Sequence, residues 1–185
     1  MSKQERKSKQ GLGSEHGLEQ VVIIAPPPTP NGDLHVGHLS GPYLGGDVLA
    51  RYLRLRGRDV ATALSVDLNQ SYVVTTAERQ GEDPVTLAER SHREIGETLE
   101  KAHMSYDVLG MPDGAYTAYV GNWFQQMHAA GVFVRRTRQM PFDVVRQRFM
   151  FESYASGWCC NCLAATKGNI CEACGQQRSR YCCAT

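Results

Sequence analysis

Five consecutive apolar residues, Val21-Val22-Ile23-Ile24-Ala25, run into Pro26-Pro27-Pro28-Thr29-Pro30. That junction restricts the fold more than any other stretch of the chain. A short apolar run reads as a buried parallel strand. Proline has no N–H to give a sheet ladder, so the strand must stop there. Asn31-Gly32 then supplies a turn. Beyond it Leu44, Val48, Tyr52 and Leu55 recur at helical spacing, with Gly57 as the stop. Pro42 and Gly45-Gly46 weaken the first turns of this helix. Residues 59–66 (DVATALSV) read as a second strand. Asp83 caps a further helix with Pro84 at its first position, and its apolar line is Ala88, Ile95, Leu99 and Ala102. A third helix carries Tyr116, Tyr119, Val120, Trp123, Phe124 and Met127 on one face, read as core, and ends at Gly131. Val132-Phe133-Val134 reads as a short strand. Strands alternating with helices predict an α/β protein with a parallel sheet. From Arg135 the chain turns loop-like and Arg-rich, then Cys-rich.

The cysteines need an explanation that composition sharpens. Among 185 residues, 20 Lys and Arg oppose 19 Asp and Glu, so bulk charge does not hold this chain to nucleic acid. No apolar run reaches the ~18–20 residues of a membrane span. The first twenty residues are polar and lack the apolar stretch of a secretory signal. The cytoplasm is therefore the expected compartment, where disulfides are not expected. Yet all seven Cys fall between Cys159 and Cys183. Cys159, Cys162, Cys171 and Cys174 form C-x2-C–x8–C-x2-C, a spacing that can set four thiolates around one Zn²⁺. Gly175 after the last of them permits a tight turn. An iron–sulfur cluster and free structural thiols are the alternatives. Cys160 could replace Cys159 in a shorter C-x-C bite, but knuckle geometry favours Cys159; Cys182 and Cys183 read as spare.

Between the first strand and the first helix lies His35-Val36-Gly37-His38. In an open α/β sheet, ligands bind beyond the C-terminal ends of strands. A helix N-terminus adds unpaired N–H groups and partial positive charge there. Two His at i and i+3 can reach one phosphate, and Gly37 leaves room for a flat purine. Such a site can stabilise charge developing on an α-phosphate under attack. Asp67, at the end of the second strand, reads by itself as a helix or turn cap.

The stretch A-P-P-P-T-P-N-G-D-L-H-V-G-H resembles the first signature of class I aminoacyl-tRNA synthetases. Ser105-Tyr106-Asp107, the helix around Trp123, Gly131-Val132-Phe133, Arg136-Thr137 and Gly157-Trp158-Cys159 are similar in order and spacing to the methionyl-tRNA synthetases, which carry a zinc-knuckle insertion at this point. The resemblance runs from about Val21 to Gly175. It implies a Rossmann-like, parallel-sheet nucleotide-binding half-domain over 19–135, with a small zinc-knuckle insertion over 136–180. A flexible polar tail is expected over 1–18 and a short tail over 181–185. It implies that His35 and His38 contact the phosphates of ATP, which enters with Mg²⁺, and that Gly37 lies under the adenine. It implies that Asp67 holds the substrate α-amino group, a natural task for a carboxylate. Amino acid, ATP and tRNA are the implied partners, without membrane or DNA. The implied reaction is ATP-dependent activation of an amino acid and its ligation to tRNA.

The chain departs from the family pattern in three places. Pro27 and Thr29 stand where the methionine pocket has a Leu and a Tyr. Asn69 and Gln70 replace a His-Gly pair. No K-M-S-K-S segment occurs, and only Lys167 follows Lys101. Activity of these residues alone is thereby in question. The rival readings are a non-catalytic zinc- or tRNA-binding module derived from a synthetase, and a small-molecule nucleotidyltransferase. The knuckles and the Ser-Tyr-Asp context speak against the second.

Overall fold

In the computed structural model, which describes residues 20–137, 140, 142–167 and 170–176, three strands form a parallel sheet in the order β1 (Val21–Ile24), β2 (Val60–Ser65) and β3 (Val108–Gly110). The expected tails over 1–18 and 181–185, with Cys182 and Cys183, lie outside the described residues. Val21 pairs with Val60 and Ile24 with Ala63, while Ala63 pairs on its other side with Val108. Two helical connections cross between the strands: α1 (Val36–His38) running through a wide turn into α2 (Leu44–Leu55), then α3 (Ser71–Gln80) and α4 (Pro84–Lys101). α5 (Gly114–Ala129) follows β3 and is capped by Asp113. The cysteine-bearing part holds two hairpins, β4 (Phe142–Asp143) with β5 (Arg148–Phe149) and β6 (Ser156–Trp158) with β7 (Ala165–Lys167), joined by a 3₁₀ turn at Glu152–Tyr154. No helix among the described residues is long and apolar enough to cross a membrane.

Right-handed crossovers in a sheet of order 1-2-3 send both connections to the same face. The core lies there: Ala25, Leu34, Tyr43, Leu64 and Val66 pack with Ile95 and Leu99 of α4. Val73 and Ala77 of α3 pack in turn on Leu87 and Ala88 of α4. Asp83 caps α4 by accepting from the Thr86 amide at 3.0 Å, with Pro84 in the first turn. Asp107 pins β3 to β2 and α2. Its carboxylate accepts from the Thr62 amide (2.7 Å), the Thr62 hydroxyl (2.9 Å) and the Arg54 guanidinium (2.8 Å). These partners, the Thr62 amide foremost, hold the Asp107 carboxyl below the usual carboxylate range.

The opposite sheet face is bare, which corrects the expectation of a buried β1. Val22 is 57% and Ile24 74% exposed. Their neighbours on that face are Ala61 and Ala63, and beyond them Val108, also exposed. α2 is also turned differently from its sequence pattern. Leu44, Val48, Tyr52 and Leu55 face outward, while Tyr43, Asp47 and Ala50 face the core. The inward line tolerates Asp47 because Arg51 Nε donates to it at 2.7 Å and the Ser105 amide at 3.1 Å. Burial alone would raise the Asp47 pKa; these two partners outweigh it and hold the pKa down. α5 buries no residue, so its aromatic stripe is not core in this chain. Val132-Phe133-Val134 joins no sheet among the described residues; Phe133 instead stacks back on Phe124 of α5, with ring centroids 4.6 Å apart.

Candidate functional site

The sequence-predicted phosphate motif folds into a reciprocal cap. His35 takes an extended backbone (φ −108°, ψ 169°), and its Nδ1 accepts from the amides of Gly37 (3.1 Å) and His38 (3.4 Å). His38 Nδ1 accepts from the His35 amide at 3.3 Å, and the two rings stack with centroids 3.8 Å apart. Because both Nδ1 atoms accept, each neutral imidazole carries its proton on Nε2, free of the backbone. Partial burial and then the neighbouring His35 lower the His38 pKa from its ordinary value, favouring the neutral imidazole.

Gly37 lies tight against the ring beside it. A Cβ built there would lie 3.0 Å from His35 Cε1 and 3.1 Å from His35 Nδ1. Gly37→Ala is therefore expected to displace the His35 ring and weaken the cap, at ~0.5–1 kcal/mol of stability. The imidazole ¹⁵N shifts of His35 and the thermal midpoint check it; both staying at their original values would refute it.

The residues that the sequence resemblance assigns to the amino acid lie at the C-terminal ends of β1 and β2, the place where open α/β sheets bind ligands. The Asp67 amide donates to the Pro28 carbonyl at 2.9 Å. That bond brings Asp67 beside Pro27 and Thr29, which flank Pro28; Pro27 is exposed and Thr29 half-buried. The Tyr43 hydroxyl donates to the Pro26 carbonyl at 3.2 Å, and the His38 ring lies 6.2 Å from the Tyr43 ring. Tyr43 thus ties the histidine turn to the proline segment. Sequence reasoning passed over Tyr43 and also Gln70, whose Nε2 donates to Asp67 Oδ2 at 2.5 Å. The only signal for Gln70 was its place where the family has Gly.

The four cysteines form a separate centre. All four Sγ atoms lie within 4.8 Å of one another, with Cys159–Cys174 at 3.7 Å and Cys162–Cys171 at 3.6 Å. Sulfurs 2.3 Å from one tetrahedral ion stand ~3.8 Å apart, so the set fits a single ion. A polynuclear cluster spreads its thiolates over several irons. Cys160 is not one of the four. Each knuckle closes on itself: the Leu163 amide donates to Cys159 O (2.9 Å) and the Gly175 amide to Cys171 O (2.8 Å). Gly175 has φ +72°, and Leu163 holds the equivalent position at φ +58°. The Asn161 side chain and then the Gln176 amide bring the Cys174 thiol down to about 6. The Cys162 thiol moves the other way, to about 12: the Ala164 amide lowers it, but Cys174, burial and the other two sulfurs raise it further. Sulfurs this close cannot all ionise without a cation to offset them.

A family model described as tRNA synthetases class I (M) matches residues 21–181. The methionine–tRNA ligase of Pelodictyon phaeoclathratiforme is 32% identical over 167 residues, covering 89% of this chain and 24% of that protein. That of Chlorobium limicola is 34% identical over 165 residues, covering 88% and 23%. The chain thus spans about a quarter of the length of the curated relatives it matches. The Mycobacterium tuberculosis methionyl-tRNA synthetase in complex with methionyl-adenylate aligns with TM-score 0.64 at 21% identity, over 85% of this chain and 30% of that one. The LeuRS–tRNA–LeuAMS ternary complex of Agrobacterium radiobacter K84 aligns with TM-score 0.64 at 20% identity, over 74% and 18%. At these identities the structural likeness is one of fold.

Proposed function

This chain belongs to the class I tRNA synthetases of the methionyl group, and on that premise we propose that it forms the ATP- and amino-acid-facing wall of a methionyl-type activation site. In this reading 19–135 is the catalytic half-domain and 136–180 the metal-bearing insertion. ATP, brought with Mg²⁺, sets its phosphates against the Nε2–H groups of His35 and His38, with the adenine over Gly37. Asp67 holds the α-amino group, and Pro27 and Thr29 form two positions of the side-chain wall. The amino-acid carboxylate attacks the α-phosphate and pyrophosphate leaves, giving the aminoacyl-adenylate; a tRNA terminal hydroxyl then attacks its carbonyl, forming the ester and releasing AMP. Imidazole N–H donors fixed before the reaction stabilise the charge that develops on the phosphate.

Zn²⁺ on Cys159, Cys162, Cys171 and Cys174 would supply structural ordering, since four thiolates leave it no open position for chemistry. The observation that carries the site reading is the Asp67–Pro28 backbone bond, which sets the carboxylate loop against the proline segment.

Calorimetric titration of the chain with ATP and with each of the twenty amino acids tests the proposal. His38→Ala is expected to lower ATP affinity and Asp67→Asn to lower amino-acid affinity, each leaving the other ligand's binding in place. A derived tRNA-binding module would bind tRNA and neither small ligand. The same panel reads specificity. Loss of an aromatic wall removes contact worth ~1–3 kcal/mol, or roughly 10–200-fold in discrimination. The Thr29 hydroxyl has a poor partner in a thioether. Methionine is therefore expected not to be preferred, and Thr29→Tyr to raise its standing. Should methionine bind tightest, with Thr29→Tyr changing nothing, the pocket reading is wrong.

A further inference from the structure

α3 begins directly after the Asp67 loop, yet it carries no cap of its own. Gln70 stands at its N-cap position and makes no capping bond. Its side chain is engaged with Asp67 instead. A helix start left this way has orphan amides, of which the first belongs to Ser71. The partner comes from 81 residues away: Glu152 Oε2 accepts from the Ser71 amide at 3.2 Å and from the Ser71 hydroxyl at 2.5 Å. The contact is reinforced. The Ser153 amide donates to Ser71 Oγ at 3.1 Å, the two serine hydroxyls lie 2.7 Å apart, and the Thr75 hydroxyl reaches Ser153 Oγ at 3.2 Å. Ser71 is buried in this contact.

The far end of α3 is held by the same segment. Arg148 makes a two-pronged bond to Glu78, at 2.5 and 3.1 Å, while its guanidinium covers the Tyr154 ring at 4.0 Å. Glu152 itself sits at φ +48°, a left-handed conformation that is unfavourable for a non-glycine residue and persists only where surroundings enforce it.

We propose that Glu152 is a positioning residue for the amino-acid site: by capping α3 at Ser71 from the cysteine-bearing segment, it releases Gln70 to orient the Asp67 carboxylate. A negative charge at a helix N-terminus is favourable for the helix dipole as well as for the orphan amide. The consequence is that the half-domain and the insertion share one structural unit, α3, next to the α-amino contact. This proposal rests on the role given to Asp67 above.

The test uses the full chain, zinc-loaded, titrated with ATP and with the twenty amino acids. Glu152→Gly removes the acceptor and eases the backbone. It is expected to weaken amino-acid binding roughly fivefold to tenfold, the effect of losing one cap, and to leave ATP affinity and zinc content unchanged. Glu152→Gln keeps one acceptor oxygen, the number both Ser71 bonds use, and is expected to retain binding within about twofold. Ser71→Ala, a second route to the same loss, moves in the direction of Glu152→Gly. The proposal is overturned if Asp67→Asn weakens amino-acid binding while Glu152→Gly and Ser71→Ala do not. Equal losses of ATP and amino-acid affinity in Glu152→Gly overturn it too, since they mark a general structural role. If Asp67→Asn itself has no effect, or no amino acid binds, the site reading fails and takes this proposal with it.

Discussion

Removing the metal is expected to unmake residues 156–176 while the parallel sheet stays folded. Among its described residues that segment has almost no core: the buried ones are Cys159, Thr166 and Cys171. β6 and β7 have three residues each, and a two-stranded hairpin of that size is not stable alone in water. A bound Zn²⁺ would supply the difference, since structural Zn²⁺ in comparable knuckles contributes ~10–16 kcal/mol at neutral pH. Cys171 is the most buried of the four ligands, so Cys171→Ser is expected to abolish stoichiometric zinc. It should also open the segment to protease while α4 and the sheet remain protected. Elemental analysis of protein purified without chelators, with limited proteolysis, decides it. A metal-free preparation with the segment still protected, or a coloured cluster, would contradict the assignment.

The second large effect concerns the 185-residue polypeptide assayed by itself. It is expected to self-associate, to bind apolar dyes, and to give no ATP–pyrophosphate exchange above background. Parallel sheets are normally covered on both faces, whereas Val22, Ile24 and Val108 leave one face of this sheet open. Tyr116, Tyr119, Trp123 and Phe124 add a second apolar surface along α5. Contiguous apolar surface beyond a few hundred Å² drives association. The curated relatives have about three-quarters more of their length to lay over such surfaces. On the chemical side, only Lys167 follows Lys101 among these 185 residues, so this polypeptide by itself offers few ammonium groups to offset charge on a departing pyrophosphate. Losing one preorganised charge-stabilising donor costs ~10²–10³ in rate, and losing a loop of them costs more. Sedimentation and exchange assays read both halves of this expectation, and Ile24→Lys should reduce the association. A monodisperse monomer with brisk exchange would overturn it.

Legibility in the sequence followed the strength of local signals. β1 was marked by the proline stop, β2 by its apolar run, and α4 by Asp83-Pro84 and an apolar line interrupted only at Ser91. The cysteine spacing places four sulfurs within one ion's reach before any tertiary contact is known. α3 was passed over because Val73, Val74, Thr75 and Thr76 are β-branched and helix-poor; packing on α4 overrides that preference. β3 has three residues, too few for a period to emerge. The errors on α2 and α5 share one cause. Periodicity locates an apolar stripe but does not say what covers it, and here the stripes at Leu44–Leu55 and Tyr116–Phe124 face outward. Glu152 was invisible for another reason: its partner Ser71 lies 81 residues away; Gln70, three residues from Asp67, showed only as a departure from the family pattern.

The wide turn over Leu39–Tyr43 sets a phase. Pro42 sits inside it without an N–H to donate, and the chain accommodates this by taking in one extra residue before the α-helix resumes. One residue is ~100° of rotation about the helix axis. The backbone from Val36 to Leu55 is thus two helices joined out of step, the first aligned to the histidines and the second to the sheet. Tyr43, at the junction, belongs to both: it lies beside the His38 ring and heads the inward line through Asp47 and Ala50. Insertion or deletion of a single residue in this turn would leave each half intact as a helix. It would still rotate one against the other by more than a quarter of a circle, aiming the imidazoles away from the strand ends.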